Sequence, residues 1–294
     1  MFDQLSTYID IHLSPFLFGF RQGHSTQNCL SIMLEKWKKA MDSSKLAGGL
    51  LTDLSKAFDC LNHELLLAKL EAYGFNYSSL SYIYSYLSDR KQRTKVNNTF
   101  SEWCNVFFGV PQGSILGPLL FNIYINDIFF FVDKCDIANY ADDTTPYTVD
   151  STMEGLLNSL EKDINTLIKW FRTNYLKLNG DKCQLLISNH NKGIKIKVDD
   201  EIIECKNSVK LLGITLDNKL NLNDHVSKLC KKACQKLHAL ARVSNFMSQD
   251  KLRILMKAFI ESQFGYCPLV WMFHSRTLNN RINSIHESAL KISL

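Results

Sequence analysis

The stretch Asn139-Tyr140-Ala141-Asp142-Asp143-Thr144-Thr145 places two adjacent carboxylates between two short segments of strand-like composition, 136–140 and 144–149. That pattern predicts a tight hairpin with the acids at its tip. Neighbouring carboxylates repel, so the arrangement is costly unless a cation sits between them. Ordinary solvated turn chemistry is the competing explanation. Asp53 stands at the end of a buried-strand pattern, 46–52, and leads into Leu54-Ser55-Lys56-Ala57-Phe58-Asp59. A strand-end acid facing a cleft suits a metal ligand, although a helix N-cap explains it too. If Asp53 lies beside the hairpin, three carboxylates converge and offer the hard oxygens that Mg²⁺ requires. Two such ions clamp an in-line phosphoryl transfer, one acidifying the attacking hydroxyl and the other stabilising the leaving pyrophosphate.

The elements that must position these acids can be read in order. Leu5, Ile9 and Leu13 give residues 1–17 a helix-like spacing, and a loop follows at 18–24. Ser25 or Thr26 can cap a helix to about residue 42, with Leu30, Met33, Leu34, Trp37 and Met41 on one face. Helices are expected near 63–73 and 78–87, then a strand pair at 90–97 and 103–110. Pro111-Gln112-Gly113 breaks the second strand and Ser114 opens an apolar helix. A helix at 153–175 follows the hairpin, then short strands from 183 to 216 with turns near Gly193, Asp199-Asp200 and Asn207. Three helical segments close the chain, near 223–245, 249–263 and 278–292; the first carries Lys228, Lys231, Lys232, Lys236 and Arg242.

Composition narrows the class. The 294 residues are 46% hydrophobic and 21% charged, as in an ordinary globular protein, and the net charge of +5 permits a polyanionic partner without requiring one. The nine cysteines form no Cys-x-x-Cys pair, which points to buried free thiols in a reducing compartment; Cys230 and Cys234 fall one helical turn apart. The first twenty residues lack a basic segment and carry Asp3 and Asp10, so no signal peptide is expected. The most apolar stretch, 115–132, contains Asn122, Asn126 and Asp127 and reads as a buried helix rather than a membrane span. The expected location is therefore intracellular, with no membrane partner.

The blocks Phe18-Gly19-Phe20-Arg21-Gln22-Gly23-His24-Ser25-Thr26, Leu51-Thr52-Asp53-Leu54-Ser55-Lys56-Ala57-Phe58-Asp59, Gly109-Val110-Pro111-Gln112-Gly113-Ser114-Ile115-Leu116-Gly117-Pro118 and Tyr140-Ala141-Asp142-Asp143 occur in that order. Trp170, Asn174, Leu176-Lys177-Leu178-Asn179, Lys182 and Leu211-Leu212-Gly213-Ile214-Thr215 continue the series. Over nearly the whole chain this resembles the reverse transcriptase of non-LTR (LINE-type, jockey-like) retrotransposons. Any single block is weak evidence, but the ordered set is specific.

The resemblance implies an α+β fold: a right-hand polymerase palm, its antiparallel sheet backed by helices, with partial fingers and a helical thumb. Residues 1–216 would be fingers and palm, and 217–294 the thumb. It implies transfer of dNMP from dNTPs to a DNA primer on an RNA (or DNA) template, in the nucleus, with two Mg²⁺ ions (Mn²⁺ as the alternative) and no small-molecule cofactor. Asp53, Asp142 and Asp143 match the metal-binding catalytic acids, and the Leu54 carbonyl a further ligand. Phe58 matches the aromatic gate beneath the incoming sugar, where a ring excludes a 2′-hydroxyl; a core aromatic is the plain alternative. Gln112 and Gly113 match the loop against nucleotide and template, or a simple strand-to-helix turn. Lys182 matches the lysine that protonates pyrophosphate, or a solvated turn lysine. Leu212 and Gly213 resemble the primer grip, and Arg21 a contact to template phosphate, or a plain surface arginine. Lys228 and Lys232 would follow the duplex backbone without reading sequence, unless they only solvate a helix.

Some departures stand beside this. The sequence begins after the family's basic fingers segment upstream of the Phe-Gly-Phe-Arg block and ends at 289–294 without a C-terminal signal, so the chain is expected to be cut at both ends, and Cys183 stands where Thr is usual. Phe58 argues against an RNA-dependent RNA polymerase, which usually places an acid there, and Ser55–Asp59 together with Leu211–Thr215 sits better with a retrotransposon than with a group II intron maturase. A truncated relic that at most binds nucleic acid is the non-enzymatic alternative.

Overall fold

In the computed structural model, residues 2–190, 193–272 and 275–293 are described. Helix α1 (Phe2–Asp10) buries Leu5 and Ile9 and stops well before residue 17. Pro15 bars its continuation to residue 17, since it biases Ser14 away from helical backbone; Leu17 instead forms a parallel bridge with Asn139. Helix α2 (Thr26–Asp42) starts where Ser25 Oγ accepts from the Asn28 N–H. Strands β1 (Leu46–Leu51) and β2 (Leu54–Ser55) lead to α3 (His63–Ala72) and α4 (Tyr77–Leu87), capped by Asn62 and Asn76.

The strand pair expected at 90–97 and 103–110 needs correction. Pairing is confined to β3 (Lys91–Gln92) with β6 (Cys104–Asn105) and β4 (Lys95–Val96) with β5 (Thr99–Phe100). A two-stranded ribbon without a covered face has little to lengthen it. Residues 108–110 leave it to bond the chain after Asp53, the Gly109 N–H donating to Leu61 O and the Val110 N–H to Phe58 O.

Helix α5 (Leu116–Ile125) is almost wholly buried. The asparagines that argued against a membrane span are its structural ties. Asn122 Nδ2 donates to Gly19 O (2.7 Å), and Asn126 Nδ2 to His12 O (2.9 Å) and Tyr73 Oη (2.7 Å). Among the described residues no helix is long and apolar enough to cross a membrane.

Strands β7 (Asp136–Tyr140) and β8 (Asp143–Asp150) precede α6 (Met153–Thr173). Then come β9 (Lys177–Leu178), β10 (Gln184–Ile187), β11 (Lys195–Val198), β12 (Glu201–Glu204), β13 (Ser208–Leu211) and β14 (Ile214–Asp217). The central sheet is antiparallel in the order β10-β1-β8-β7. On one face Ala47 and Leu51 pack with Trp37 and Leu34 of α2; on the other Leu50 packs with Leu156, Leu160 and Ile164 of α6. Helices on both faces explain why β1 reads as a continuous apolar run. Asp163, buried on α6, accepts through Oδ2 from the N–H groups of Asp133, Lys134 and Cys135 at 3.1, 2.7 and 2.7 Å, tying the approach to β7 onto the helix.

The C-terminal part comprises α7 (Asn223–Val243), α8 (Gln249–Met256), a π-helical turn at Lys257–Glu261, α9 (Ser262–Phe264), α10 (Pro268–Trp271) and α11 (Arg276–Ser293). The short α10 was not foreseen, because four residues give no periodicity to read. Its Leu269 N–H donates to Gln27 Oε1 at 3.0 Å, docking it on α2. One apolar cluster joins α7 to α11, β13, β14, α2 and the sheet, crossing residue 216 without a break. The nine cysteines are free thiols, most of them buried.

Candidate active site

Tyr140 pairs directly with Asp143, so Ala141 and Asp142 form a two-residue turn and Asp143 opens β8. Ala141 has a φ of 56°, a left-handed conformation costing a residue with a Cβ roughly 1–2 kcal/mol. Its surroundings hold it there. The fully buried Asn139 donates through Nδ2 to Ala141 O (3.1 Å) and Thr144 Oγ1 (2.9 Å). Gly19 presses on the turn from outside, where a Cβ would lie 2.5 Å from Ala141 N. The Phe18 N–H donates to Asn139 O at 2.9 Å, fastening the two blocks together.

Asp53 reaches this hairpin through strand register. The Thr52 N–H donates to Thr144 O at 3.1 Å and Thr52 Oγ1 to the same oxygen at 2.6 Å, forming an antiparallel bridge. Asp53 follows Thr52 and Asp143 precedes Thr144, so the two acids leave the bridge on the same edge. Burial, then the charges of Asp142 and Asp53, push the Asp143 carboxyl up to about 6, against the opposing pull of Lys182. The three carboxylates therefore share one field.

Lys182 answers part of that charge. Pairing of Leu54 with Leu178, between β2 and β9, and an Asn179 N–H bond to Asp53 O (2.9 Å) bring the following 3₁₀ turn, Gly180–Lys182, back over Asp53. Lys182 Nζ lies 2.9 Å from Asp53 Oδ2. That bond and the Asp53 charge, helped by Asp142 and Asp143, hold the ammonium above the ordinary lysine range. Among the described residues no group of three or more His, Cys, Asp or Glu side chains is gathered tightly enough to hold a metal. Three mutually repelling carboxylates remain a donor set that suits a hard divalent cation. Leu54 is buried beside them.

Phe58 lies in the 3₁₀ turn Ala57–Asp59, half-buried, stacked on Phe121 at a centroid distance of 4.5 Å and edge-on to Phe20 at 5.8 Å. The ring thus lies partly against the core and partly exposed. The Gln112 loop docks on this turn. Gly109 (φ 76°) admits no side chain, because a Cβ would meet Asp59 Cα at 2.7 Å and Phe58 O at 2.8 Å. The exposed Gln112 donates from Nε2 to Asp59 Oδ1 at 2.9 Å, and Gly113 is exposed beside it.

Leu212 and Gly213 (φ 44° and 83°) form the two-residue turn between β13 and β14. Tyr266 Oη donates to Leu212 O at 2.7 Å. Leu211 and Leu212 meet Tyr140, Asp143, Cys29 and Met33 in a crevice without room for a water molecule. The turn thus abuts the acidic hairpin. Lys228 and Lys232 are exposed on α7, opposite the buried Val226, Cys230, Ala233 and Leu237. Lys228 Nζ reaches Thr215 Oγ1 at 3.4 Å, and burial plus these two lysines push His225 down to about 4.

Arg21 is placed differently from the other site residues. Its side chain is 8% exposed, with Nε on Asp10 Oδ1 (2.9 Å) and Nη1 on Ser14 O (2.7 Å). Its donors pin the turn after α1, and a phosphate would have to compete for them. Sequence reasoning gave no role to Thr52, Asn139 or the Asp59 carboxylate. An asparagine inside an otherwise apolar strand was the signal for Asn139, since a buried amide needs partners.

The family described as reverse transcriptase (RNA-dependent DNA polymerase) matches residues 1–216. The chain is 27% identical over 288 residues to the probable RNA-directed DNA polymerase from transposon BS of Drosophila melanogaster, covering 93% of this chain and 32% of that protein. It is 29% identical over 226 residues to the RNA-directed DNA polymerase from mobile element jockey of the same species, covering 74% and 25%. The chain thus spans about a third or less of these relatives' length. Apo telomerase from Candida tropicalis superposes with a TM-score of 0.52 at 11% identity, over 99% of this chain and 54% of that one. At that identity the likeness concerns fold alone, and it agrees with the expected polymerase palm.

Proposed function

The chain belongs to the reverse transcriptase (RNA-dependent DNA polymerase) family, and on that premise we propose that it is the polymerase core of a non-LTR retrotransposon. It adds dNMP to a primer 3′-hydroxyl on an RNA or DNA template, with residues 217–294 as the thumb and the nucleus as its place of action. The observation that carries this reading is the Thr52–Thr144 bridge, which turns Asp53 and the Asp142-Asp143 hairpin to one edge.

Asp53, Asp142 and Asp143, with the Leu54 carbonyl, would hold two Mg²⁺ ions (or Mn²⁺), which when bound acidify the primer hydroxyl and stabilise the leaving pyrophosphate. Lys182, kept protonated by the acids around it, carries the proton for the pyrophosphate oxygen as general acid. The Phe58 ring, backed by Phe121, cannot yield to a 2′-hydroxyl and so favours dNTPs. Gln112 and Gly113, carried by a loop docked on the Phe58–Asp59 turn, flank the nucleotide. The Leu212-Gly213 turn steers the primer end. Lys228 and Lys232 hold the duplex backbone through contacts that weaken with salt.

Primer extension on an RNA template annealed to a DNA primer, with dNTPs and Mg²⁺ or Mn²⁺, tests the reading. Extension should occur and should vanish in Asp142→Asn and Asp143→Asn. A folded chain that binds the duplex yet never extends it, or extension indifferent to both substitutions, overturns the assignment.

A further inference from the structure

Every residue of the ribbon 91–105 is exposed. Lys91, Arg93 and Lys95 stand on it against the single acid Glu102. The Arg93 guanidinium lies 3.9 Å from the Phe100 ring centroid and 4.5 Å from that of Trp103, and Lys95 Nζ lies 5.3 Å from Phe100. Trp103 is nevertheless 57% exposed and Phe100 48%. At the base of the ribbon a polar cavity of about 660 Å³ is lined by Lys56, Asp59, Arg90, Gln92, Phe107 and Gln112 among others. Cations and aromatic rings thus stand both on the ribbon and, together with Asp59, around the cavity that leads to Gln112.

This surface has a specific chemistry. Large rings left in water beside cations suit a ligand that offers both a π-face and a negative charge at short intervals, as unpaired nucleotides do. A duplex presents phosphates but hides its base faces, so the rings would gain nothing from it. An apolar protein partner would have to bury Lys91, Arg93 and Lys95. We propose that the ribbon 91–105 and the cavity at its base bind single-stranded nucleic acid, bases stacking on Trp103 and Phe100 and phosphates meeting Lys91, Arg93 and Lys95. The role of that strand, as template not yet copied and led toward Gln112, rests on the polymerase reading; the binding itself does not.

Fluorescence anisotropy with labelled oligouridylate and oligothymidylate on the full chain tests it, a blunt duplex serving as comparison. Trp103→Ala should weaken single-strand binding roughly 5- to 150-fold, the range expected when one base–aromatic stack is removed. Lys91→Glu combined with Lys95→Glu should weaken it and flatten its salt dependence. All three positions are exposed, and circular dichroism checks that the variants fold. Loss with either oligonucleotide supports the site and tells which strand chemistry it takes. Unchanged binding of both, or equal weakening of the duplex, overturns it. Failure of the polymerase reading looks different: no extension, with oligonucleotide binding still sensitive to Trp103→Ala.

Discussion

Replacing Asp143 by Asn should stabilise the metal-free fold while removing the activity proposed for it. Burial and the neighbouring Asp142 and Asp53 raise the Asp143 carboxyl from 3.8 to about 6, so the folded chain holds that proton more tightly than the unfolded one. The resulting stability is fully present below about pH 3.8 and is lost as pH rises through about 6. About two pKa units at 1.36 kcal/mol each set a ceiling near 3 kcal/mol, and solvent screening of this partly exposed group reduces it to roughly 1–2 kcal/mol. Asn keeps the shape and deletes the charge. Urea unfolding in EDTA should therefore show Asp143→Asn more stable than wild type at about pH 8, with the gap closing near pH 4. Added Mg²⁺ should raise the wild-type midpoint more than the variant's, because the cation relieves the same repulsion. A variant no more stable than wild type at pH 8, or a gap unchanged by pH, would refute the claim that these carboxylates strain one another.

Phe58→Val should raise ribonucleotide incorporation relative to deoxyribonucleotide by roughly 10-fold or more, read by single-nucleotide extension; unchanged discrimination sinks the gate. Gly19→Ala forces a methyl against Ala141 N and should cost about 1–3 kcal/mol in thermal unfolding, with extension falling as the acidic turn shifts. Asp163→Ala strips three backbone N–H groups of their acceptor and should lower stability by about 3 kcal/mol or more, measured by urea titration. Lys228→Ala with Lys232→Ala should weaken duplex binding for every sequence alike and reduce the salt slope by about one for each phosphate no longer neutralised.

The acidic hairpin, the Asp53 strand and the long helices were legible because each is written in local order. Apolar spacing marks α2, α6 and α7, a continuous apolar run marks β1, and Asp142-Asp143 interrupts two strand-like segments. The ordered blocks likewise pointed to the polymerase family before any fold was described. Other features had no local signature. The ribbon at 90–110 reads as two full strands, yet residues 91–105 are all exposed and its second strand turns away toward Phe58. Arg21 reads as a free cation until Asp10 and the Ser14 carbonyl are seen to claim it. Gly19 reads as a loop residue until Ala141, more than a hundred positions on, lies against it. Residue types and their periodicity thus determined which chemistry the chain carries and which elements bear it. Only tertiary structure decided that Thr52 bridges Thr144 and that Lys182 turns back onto Asp53, because strand register and helix docking are set by contacts between residues far apart in the chain.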